Sequence, residues 1–570
     1  MLNLESLTRA IEEFNRRGQT GPDPLAALYR DRRSQWSLFA PLLSDAEMEA
    51  LRPYIFAYAR LPETPQDPPV RVHNLVNGEW RTAKRTATLP ALFDRRVPLA
   101  EIPDSDASDV DAAVSAAWDH WTSLAWADEP LQYRKWVVKN FSRLLHHFRE
   151  DCLREIRHQI PKTRLEAEKD FWEAKRAADH LEGAADKAMQ GHLVPTMIEG
   201  HTYWKNEYLP AGPAAIITPM NFIYGIPTIQ IVGCYLAGSP FVFKGHPFAA
   251  ITNTTLVRML LAAGADPRAV HKVEGFGGNV SALPADPRIK VASVTGSDRT
   301  AEKIQRDRGL RRLWFEGGGC NWCWVDDGYS DDEIERIAKR LAYSWLALST
   351  HKCSSLHGVA ASPRTLGRLV AAIDREADRW SLEDPRKTEK AEVVGPLMVH
   401  KAQTTENILA AAEKAGVPVV RRGGRVTDTE YARNAEVVRP SILGPVRPGT
   451  TLRCDWDGKG ERTFDLATEE FFQPILVTME ATFDEFLRFT LFHNPYDLIT
   501  AIYTRDDRKL YRARQTIGGM LKENDGTDSA LEWEAFGASG VSRSGNTGVG
   551  DAESTIRMFC RAQKGRHVVF

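Results

Sequence analysis

The segment FEGGGCNWCWV, residues 315–325, sets a carboxylate, a string of glycines and a Cys-x-x-Cys pair side by side. A zinc site built on such a pair needs four ligands, and no second Cys/His pair stands at matching spacing; His351 and Cys353 are the nearest candidates. A redox dithiol favours a helix N-terminus, whereas CNWCWV has the texture of a strand. Cys320 and Cys323 are therefore read as half-buried strand cysteines, and no metal site is expected. EGGG fits neither a Walker loop nor G-x-G-x-x-G, so the glycines read as a bend where two backbones approach closely. That leaves Glu316, a carboxylate at the end of an apolar strand. A half-buried carboxylate there is expected to have a raised pKa, as a general base needs; a structural acid is the alternative that the local sequence favours.

A second reactive group stands in LSTHKCSSLHG (348–358). Cys353 follows a helical run and is flanked by His351, Lys352 and two serines. A polar, cationic setting favours the thiolate, which makes it a better nucleophile than Cys152 or Cys234. An inert cysteine fits the local context equally well.

These residues need elements to hold them. From about residue 205 the runs AAIIT, FVFKG, HKVEG, KVASVTG and RRLWF alternate with helical stretches, the pattern of a parallel, doubly wound sheet. Such sheets bind ligands at the carboxyl ends of their strands, and Asn221, Lys244, Ser297 and Glu316 all lie just past one. A second α/β alternation begins after about 320, with LHGVAAS, PILVTME and LITAIYTRD as its strands. Upstream, residues 1 to about 60 read as amphipathic helices, with Ser44 as an N-cap, and the Pro-rich PETPQDPPVR (62–71) as a linker. A further helical region runs from about 105 to 190.

Lys and Arg total 74 against 76 Asp and Glu, a net charge of -2 that leaves no electrostatic footprint for nucleic acid or an anionic membrane. Seven cysteines form no disulfide framework and fit a reducing compartment. The N-terminus carries acids and lacks the apolar core of a secretory signal. FIYGIPTIQIVGCYLAGSPFVF, broken by Gly, Pro, Gln and Ser, reads as a buried helix running into a strand rather than a membrane span. A cytoplasmic protein acting on a small molecule is expected.

Taken in order, the motifs resemble the aldehyde dehydrogenase superfamily over roughly residues 72–570. IITPMNF is similar to its strand-end P-x-N, FVFKG to its cofactor-lysine strand, and VTGS to its pyrophosphate turn. FEGGGCN stands where the family has E-L-G-G-K, HKCSS where it has G-Q-K-C-S, and TEEFFQPIL where it has E-E-I-F-G-P; NPYDLITAIYTRD and AFGASGVSRSG match downstream segments. The resemblance implies an α/β fold with a Rossmann-like cofactor domain (72–315), an α/β catalytic domain (316–520), and a last segment (521–570) carrying an anchor loop, a return to the cofactor domain and an oligomerisation strand. Residues 1–71 would be a helical extension and linker.

It also implies NAD as cofactor, with NADP left open, an aldehyde as substrate, and a homodimer or higher oligomer. Cys353 would attack the aldehyde, Asn221 and the Cys353 N–H would stabilise the oxyanion, and Glu316 would activate the water that hydrolyses the thioester. Thr218, Pro219, Lys244, Gly296, Ser297, Gly317, Glu470 and Phe472 would surround the cofactor. The chain departs from the family at Cys320 (usually Lys), His351 (usually Gln), Gln473 (usually Gly) and Ala301 (usually Gly). No acid follows Lys244 by three residues, where the family's ribose-binding acid stands, and His246 would serve either cofactor.

The N-terminal extension and the stretch up to IITPMNF resemble the glutamate-semialdehyde (1-pyrroline-5-carboxylate) dehydrogenase branch. There Ser354 and the anchor loop, here NDGTDSALEWEAF with Ser529 and Phe536, would hold the substrate carboxylate. Asp528 replaces a glycine of that loop, and Glu532 and Glu534 add charge. Acids repel an anion unless they are paired, so a cationic or amide-bearing aldehyde is expected. Glutamate semialdehyde itself, passage of the thioester to coenzyme A, a cofactor-free cysteine hydrolase and a non-catalytic, dehydrogenase-like scaffold are the alternatives.

Overall fold

The computed structural model describes residues 4–190, 192–195, 201–529, 534, 536–540, 542–546 and 551–568. Five strands form the parallel heart of the first sheet, in the order Val270–Lys272, Phe241–Lys244, Ala214–Ile217, Val291–Thr295 and Arg312–Glu316. Their near-continuous apolar runs suit strands covered on both faces. One covering helix, Gly225–Ala237, is buried all round and ends at Gly238, whose φ of +81° gives the left-handed C-cap. FIYGIPTIQIVGCYLAGSPFVF is thus a buried helix leading into a strand. Among the described residues no helix is long and apolar enough to cross a membrane.

The second sheet is also mostly parallel, with Asn321–Val325 flanked by Leu356–Ala361 and Ile499–Tyr503. Glu316 ends an edge strand of the first sheet and Asn321 begins a central strand of the second. Residues 317–320 are therefore the seam between the two sheets. The chain returns to this seam near its end: the Gly317 N–H donates to the Ser544 carbonyl at 2.7 Å, and the Asn546 side chain accepts from the Phe315 N–H at 2.7 Å.

Short antiparallel strands that no periodicity announced extend the first sheet: Asn74–Val76, Glu79–Arg81 and Gly21–Pro22. The N-terminal helices Leu4–Arg16 and Asp45–Ile55 pack onto this sheet's core, the latter with Ser44 in a reciprocal capping box. Arg258 sits beneath the rings of Phe14, Tyr54 and Trp80. The C-terminal strand Cys560–Val568 pairs antiparallel with His201–Pro210 and forms the edge of a three-stranded sheet. The hairpin Thr451–Asp455 and Glu461–Asp465 was likewise not anticipated.

Candidate active site

Glu316, Lys244 and the Thr218–Asn221 loop lie at the carboxyl ends of neighbouring parallel strands. Glu316 is buried, and burial pushes its carboxyl up to about 7, a rise the Thr295 hydroxyl at 3.3 Å only partly offsets. Lys244 is buried as well; burial draws its ammonium down to about 8, against the pull of Glu274. Glu274, at the end of the adjoining strand, pairs with Lys272 at 2.8 Å. His246 is pushed down to about 3 by burial and then by Lys244, so the imidazole is neutral at physiological pH.

The glycine seam threads between bulky neighbours. A Cβ on Gly317 would stand 2.4 Å from the Arg543 carbonyl, one on Gly318 2.0 Å from the Glu470 carboxylate, and one on Gly319 2.3 Å from the Cys353 carbonyl. None of the three has a positive φ. They serve close approach rather than a left-handed bend. The Gly319 N–H donates to Glu470 at 2.9 Å, and burial raises that carboxyl to about 8 despite the bond. Cys320 and Cys323 are fully packed, and no cluster of metal-ligating residues occurs among the described residues.

Cys353 is carried on a strained loop. Leu348, Ser349 and Thr350 have φ of 55°, 51° and 66°, three consecutive left-handed residues that each cost about 1–2 kcal/mol. Bonds to fixed neighbours hold them there: the Leu348 N–H donates to Glu166 at 2.6 Å, Ser349 Oγ accepts from the Gly395 N–H at 2.8 Å, and Thr350 Oγ1 donates to the Trp345 carbonyl at 2.7 Å. Asn321, the first residue of the second-sheet strand, donates from its amide to the carbonyls of Cys353 (2.6 Å) and Ser355 (2.8 Å).

The cationic setting expected for Cys353 is not there. Lys352 turns away to Asp528, 3.3 Å from Nζ to Oδ2. His351 Nε2 accepts from the Met398 N–H at 3.1 Å, which leaves Nδ1 to donate to the Leu348 carbonyl at 3.0 Å, and burial lowers the ring to about 3. The thiol is instead raised well above its usual range, by burial first and then by Glu316, Glu470 and Glu173. Adjacent residues in sequence were misread as electrostatic neighbours.

The oxyanion candidate Asn221 is buried on a loop that Asp170 organises. That carboxylate accepts the N–H groups of Ile223 (3.0 Å), Tyr224 (3.1 Å) and Gly225 (2.8 Å), and Lys162 Nζ lies 2.9 Å away; both side chains are 0% exposed. Glu173, one turn further along the same helix, lies where a Cβ on Gly225 would meet it, and acts on the Cys353 thiol. Sequence reasoning missed Asp170, Lys162 and Asn321. Only Glu166 carried a local signal, the Thr-x-x-Glu spacing of a capping box with Thr163.

The remaining candidates scatter less than their sequence separation suggests. Gly296 donates its N–H to the Glu316 carbonyl, and Ser297 caps the helix Asp298–Arg308 on the exposed side. Pro219 is partly buried beside Thr218. Phe472, at φ 52°, stands edge-on to His351 with ring centres 5.7 Å apart. The Ser354 carbonyl accepts from Thr527 of the anchor loop at 2.8 Å. Ser529 turns its hydroxyl into that loop, to the Gly526 carbonyl at 3.0 Å, and Phe536 is partly buried.

The free negative charge expected of the anchor loop is also overturned. Asp528 is clamped by Arg340 and Lys352, and Glu534 pairs with Lys522 at 2.6 Å. Glu532 lies outside the described residues.

A doubly wound sheet and a second α/β layer joined by a glycine seam, with a half-buried thiol on one side of it and a buried carboxylate on the other, form a fold of the aldehyde dehydrogenase type. The chain belongs to the aldehyde dehydrogenase family, whose sequence profile matches residues 90–564. It is 25% identical over 420 residues to the bovine (Bos taurus) mitochondrial acylating methylmalonate-semialdehyde/malonate-semialdehyde dehydrogenase, covering 71% of this chain and 72% of that one. Malonate-semialdehyde dehydrogenase 3 of Geobacillus kaustophilus is 25% identical over 476 residues, 81% of this chain and 92% of the relative. Among solved structures, the betaine aldehyde dehydrogenase of Staphylococcus aureus in complex with NAD+ superposes with a TM-score of 0.78 at 17% identity, covering 87% of this chain and 97% of that one. The 1-pyrroline-5-carboxylate dehydrogenase of Thermus thermophilus gives 0.77 at 20%, covering 93% and 98%. The expected family and α/β fold are borne out.

Proposed function

We propose that the protein oxidises an aldehyde to a carboxylic acid with NAD as acceptor, using Cys353 as nucleophile and Glu316 as general base. The observation that carries this reading is the seam, where the Gly319 backbone lies against the Cys353 carbonyl and the Glu316 charge acts on the thiol. The raised thiol pKa means that Cys353 rests protonated, and Glu316, poised near 7, is the group placed to take a proton. Cys353 adds to the carbonyl carbon while the Asn221 amide and the Cys353 N–H receive the oxyanion. When bound, the nicotinamide supplies the hydride acceptor that turns the resulting thiohemiacetal into a thioester. Once that first proton has passed to solvent, Glu316 draws a proton from the water that attacks the thioester and returns it to the departing Cys353 sulfur as the acid is released.

The residues present fit such a cofactor. Thr218 Oγ1 is buried without a hydrogen-bond partner, and a Cβ on Gly296, at the mouth of a helix N-terminus, would meet nothing within 4 Å. Lys244 and Glu470 would hold ribose hydroxyls, Ser297 and Gly296 the pyrophosphate, and Thr218, Pro219, Gly317 and Phe472 would line the nicotinamide end. Glu274, the carboxylate acting on Lys244, is already paired with Lys272, and His246 is neutral at physiological pH, so the charges here do not select between the cofactors; NAD is the proposed acceptor, and parallel NAD and NADP assays decide between them. In this reading residues 72–315 are the cofactor domain, 316–520 the catalytic domain, and the chain works in the cytoplasm as a homo-oligomer.

The substrate is proposed to be an aldehyde with a neutral polar or cationic group. The charged groups acting most strongly on the thiol are all carboxylates, which favours such a substrate over an anion. NAD and NADP reduction by wild type and Cys353→Ala, across cationic, neutral and acidic aldehydes, tests the reading. A Cys353-dependent signal strongest with neutral or cationic aldehydes supports it; a preference for glutamate or malonate semialdehyde would replace the substrate assignment. Assaying the product as free acid or coenzyme A thioester separates hydrolysis from acyl transfer, and failure to bind NAD would move the scaffold alternative forward.

A further inference from the structure

One feature of the anchor loop goes beyond this reading while resting on it for the substrate's route to Cys353. Arg340 Nη1 (2.6 Å), Ser344 Oγ (2.6 Å) and Lys352 Nζ (3.3 Å) converge on the carboxylate of Asp528, whose side chain is 1% exposed. Two cations and a hydroxyl around one carboxylate are the parts of a carboxylate-binding site. The site abuts the nucleophile: Lys352 is one peptide, about 3.8 Å between Cα atoms, from Cys353. Thr527, the residue before Asp528, bonds the Ser354 carbonyl on the other side of Cys353. Arg340 is anchored independently by Asp525 at 2.7 Å, and Lys352 lies 5.6 Å from the Tyr343 ring centre, so both cations have supports besides Asp528.

We propose that Asp528 is a tethered stand-in for a substrate carboxylate, filling an anion site made by Lys352, Arg340 and Ser344 and so excluding aldehydes that carry a carboxylate of their own. Burial alone would raise the Asp528 carboxyl; Lys352 and Arg340 hold it well below the usual range, so the stand-in stays charged throughout the working pH range. With Asp528 in place, an incoming carboxylate meets a neutralised clamp. With its charge removed, the clamp has a free positive charge on the loop that carries the nucleophile.

The test uses the full-length protein and two readouts. Asp528→Gly empties the clamp, and its kcat/KM ratio for succinate semialdehyde over propanal should rise by about tenfold or more, the order of one desolvated charge pair. Asp528→Ala opens space for a free carboxylate. Acetate should raise its Tm by about 2 °C more than acetamide at the same concentration and ionic strength, with no such difference in wild type. An unchanged substrate ratio in D528G, or a folded D528A whose Tm treats acetate and acetamide alike, overturns the proposal; should D528A not fold, the D528G ratio decides. Should wild type and D528G turn over no aldehyde at all, the proposed activity fails while the acetate response still decides whether the masked site exists.

Discussion

Asp170→Asn probes the oxyanion loop without touching it. In wild type one carboxylate serves three backbone N–H groups at 2.8–3.1 Å and the Lys162 ammonium at 2.9 Å, in a place with no solvent exposure. The amide oxygen of asparagine can keep Oδ1's bonds to Tyr224 and Gly225. Its NH2 group, however, would face the Ile223 N–H and Lys162, donor against donor. Leaving a buried ammonium without its counter-charge costs about 3–5 kcal/mol, a large share of the stability of most domains. The catalytic effect has a different ceiling. Loss of one oxyanion donor costs about 10²–10³ in kcat, so a displaced rather than deleted Asn221 should cost about 10- to 100-fold. Urea unfolding measures the first quantity and steady-state NADH formation the second. Two further variants separate them. Lys162→Met in the D170N background removes the unpaired charge and should recover stability more than activity. Asn221→Ala combined with D170N should be little slower than Asn221→Ala alone, because both act on one donor. A D170N enzyme with wild-type kcat, or fully additive rate losses in the double variant, would refute the argument.

Glu316→Gln should lower kcat about 100-fold and abolish the pH limb near 7. Folded Glu316 holds its proton more tightly than the unfolded chain does, so wild-type stability falls as pH rises from about 4.5 to about 7. E316Q should therefore be more stable than wild type at pH 8, by about 3 kcal/mol, with the gap closing below pH 4.5 in paired urea titrations. Gly319→Ala must push either its own strand or the Cys353 carbonyl, 2.3 Å from the added Cβ, and should slow both turnover and iodoacetamide labelling of Cys353 at least tenfold. Gly367→Ala, whose Cβ meets nothing within 4 Å, is the control.

How far the sequence carried this reading depends on the kind of residue. Asn221, Lys244 and Glu316 were legible because each ends a short apolar run, and a buried parallel strand has little choice but to present its last residue at the carboxyl edge of the sheet. The strands 74–76 and 79–81 were not, because three residues are too few to establish a period. Asp170 was not, because it sits mid-helix among other charges, and its three backbone partners lie 53–55 residues away. Lys352 misled for the same reason: its counter-charge is 176 residues distant. The glycines were read correctly as permitting close approach. What they approach, at 353, 470 and 543, could not be seen from 317–319 alone.

The misjudged setting of Cys353 changes the chemistry that must be explained. A thiol beside Lys and His⁺ would rest as thiolate and need no proton acceptor. A thiol that desolvation and three carboxylates hold protonated must lose its proton during the reaction, which ties its reactivity to the protonation of its neighbours. Burial raises Glu316 to about 7 and Glu470 to about 8 by the same desolvation that raises the thiol, so at neutral pH these acids are in part uncharged and oppose thiolate formation less than their number implies. Whatever dries or wets the seam moves all three groups together. Aldehyde and cofactor, by filling it, would shift the base and the nucleophile in one step, and the pH dependence of Cys353 alkylation should therefore differ between the free enzyme and its NAD complex.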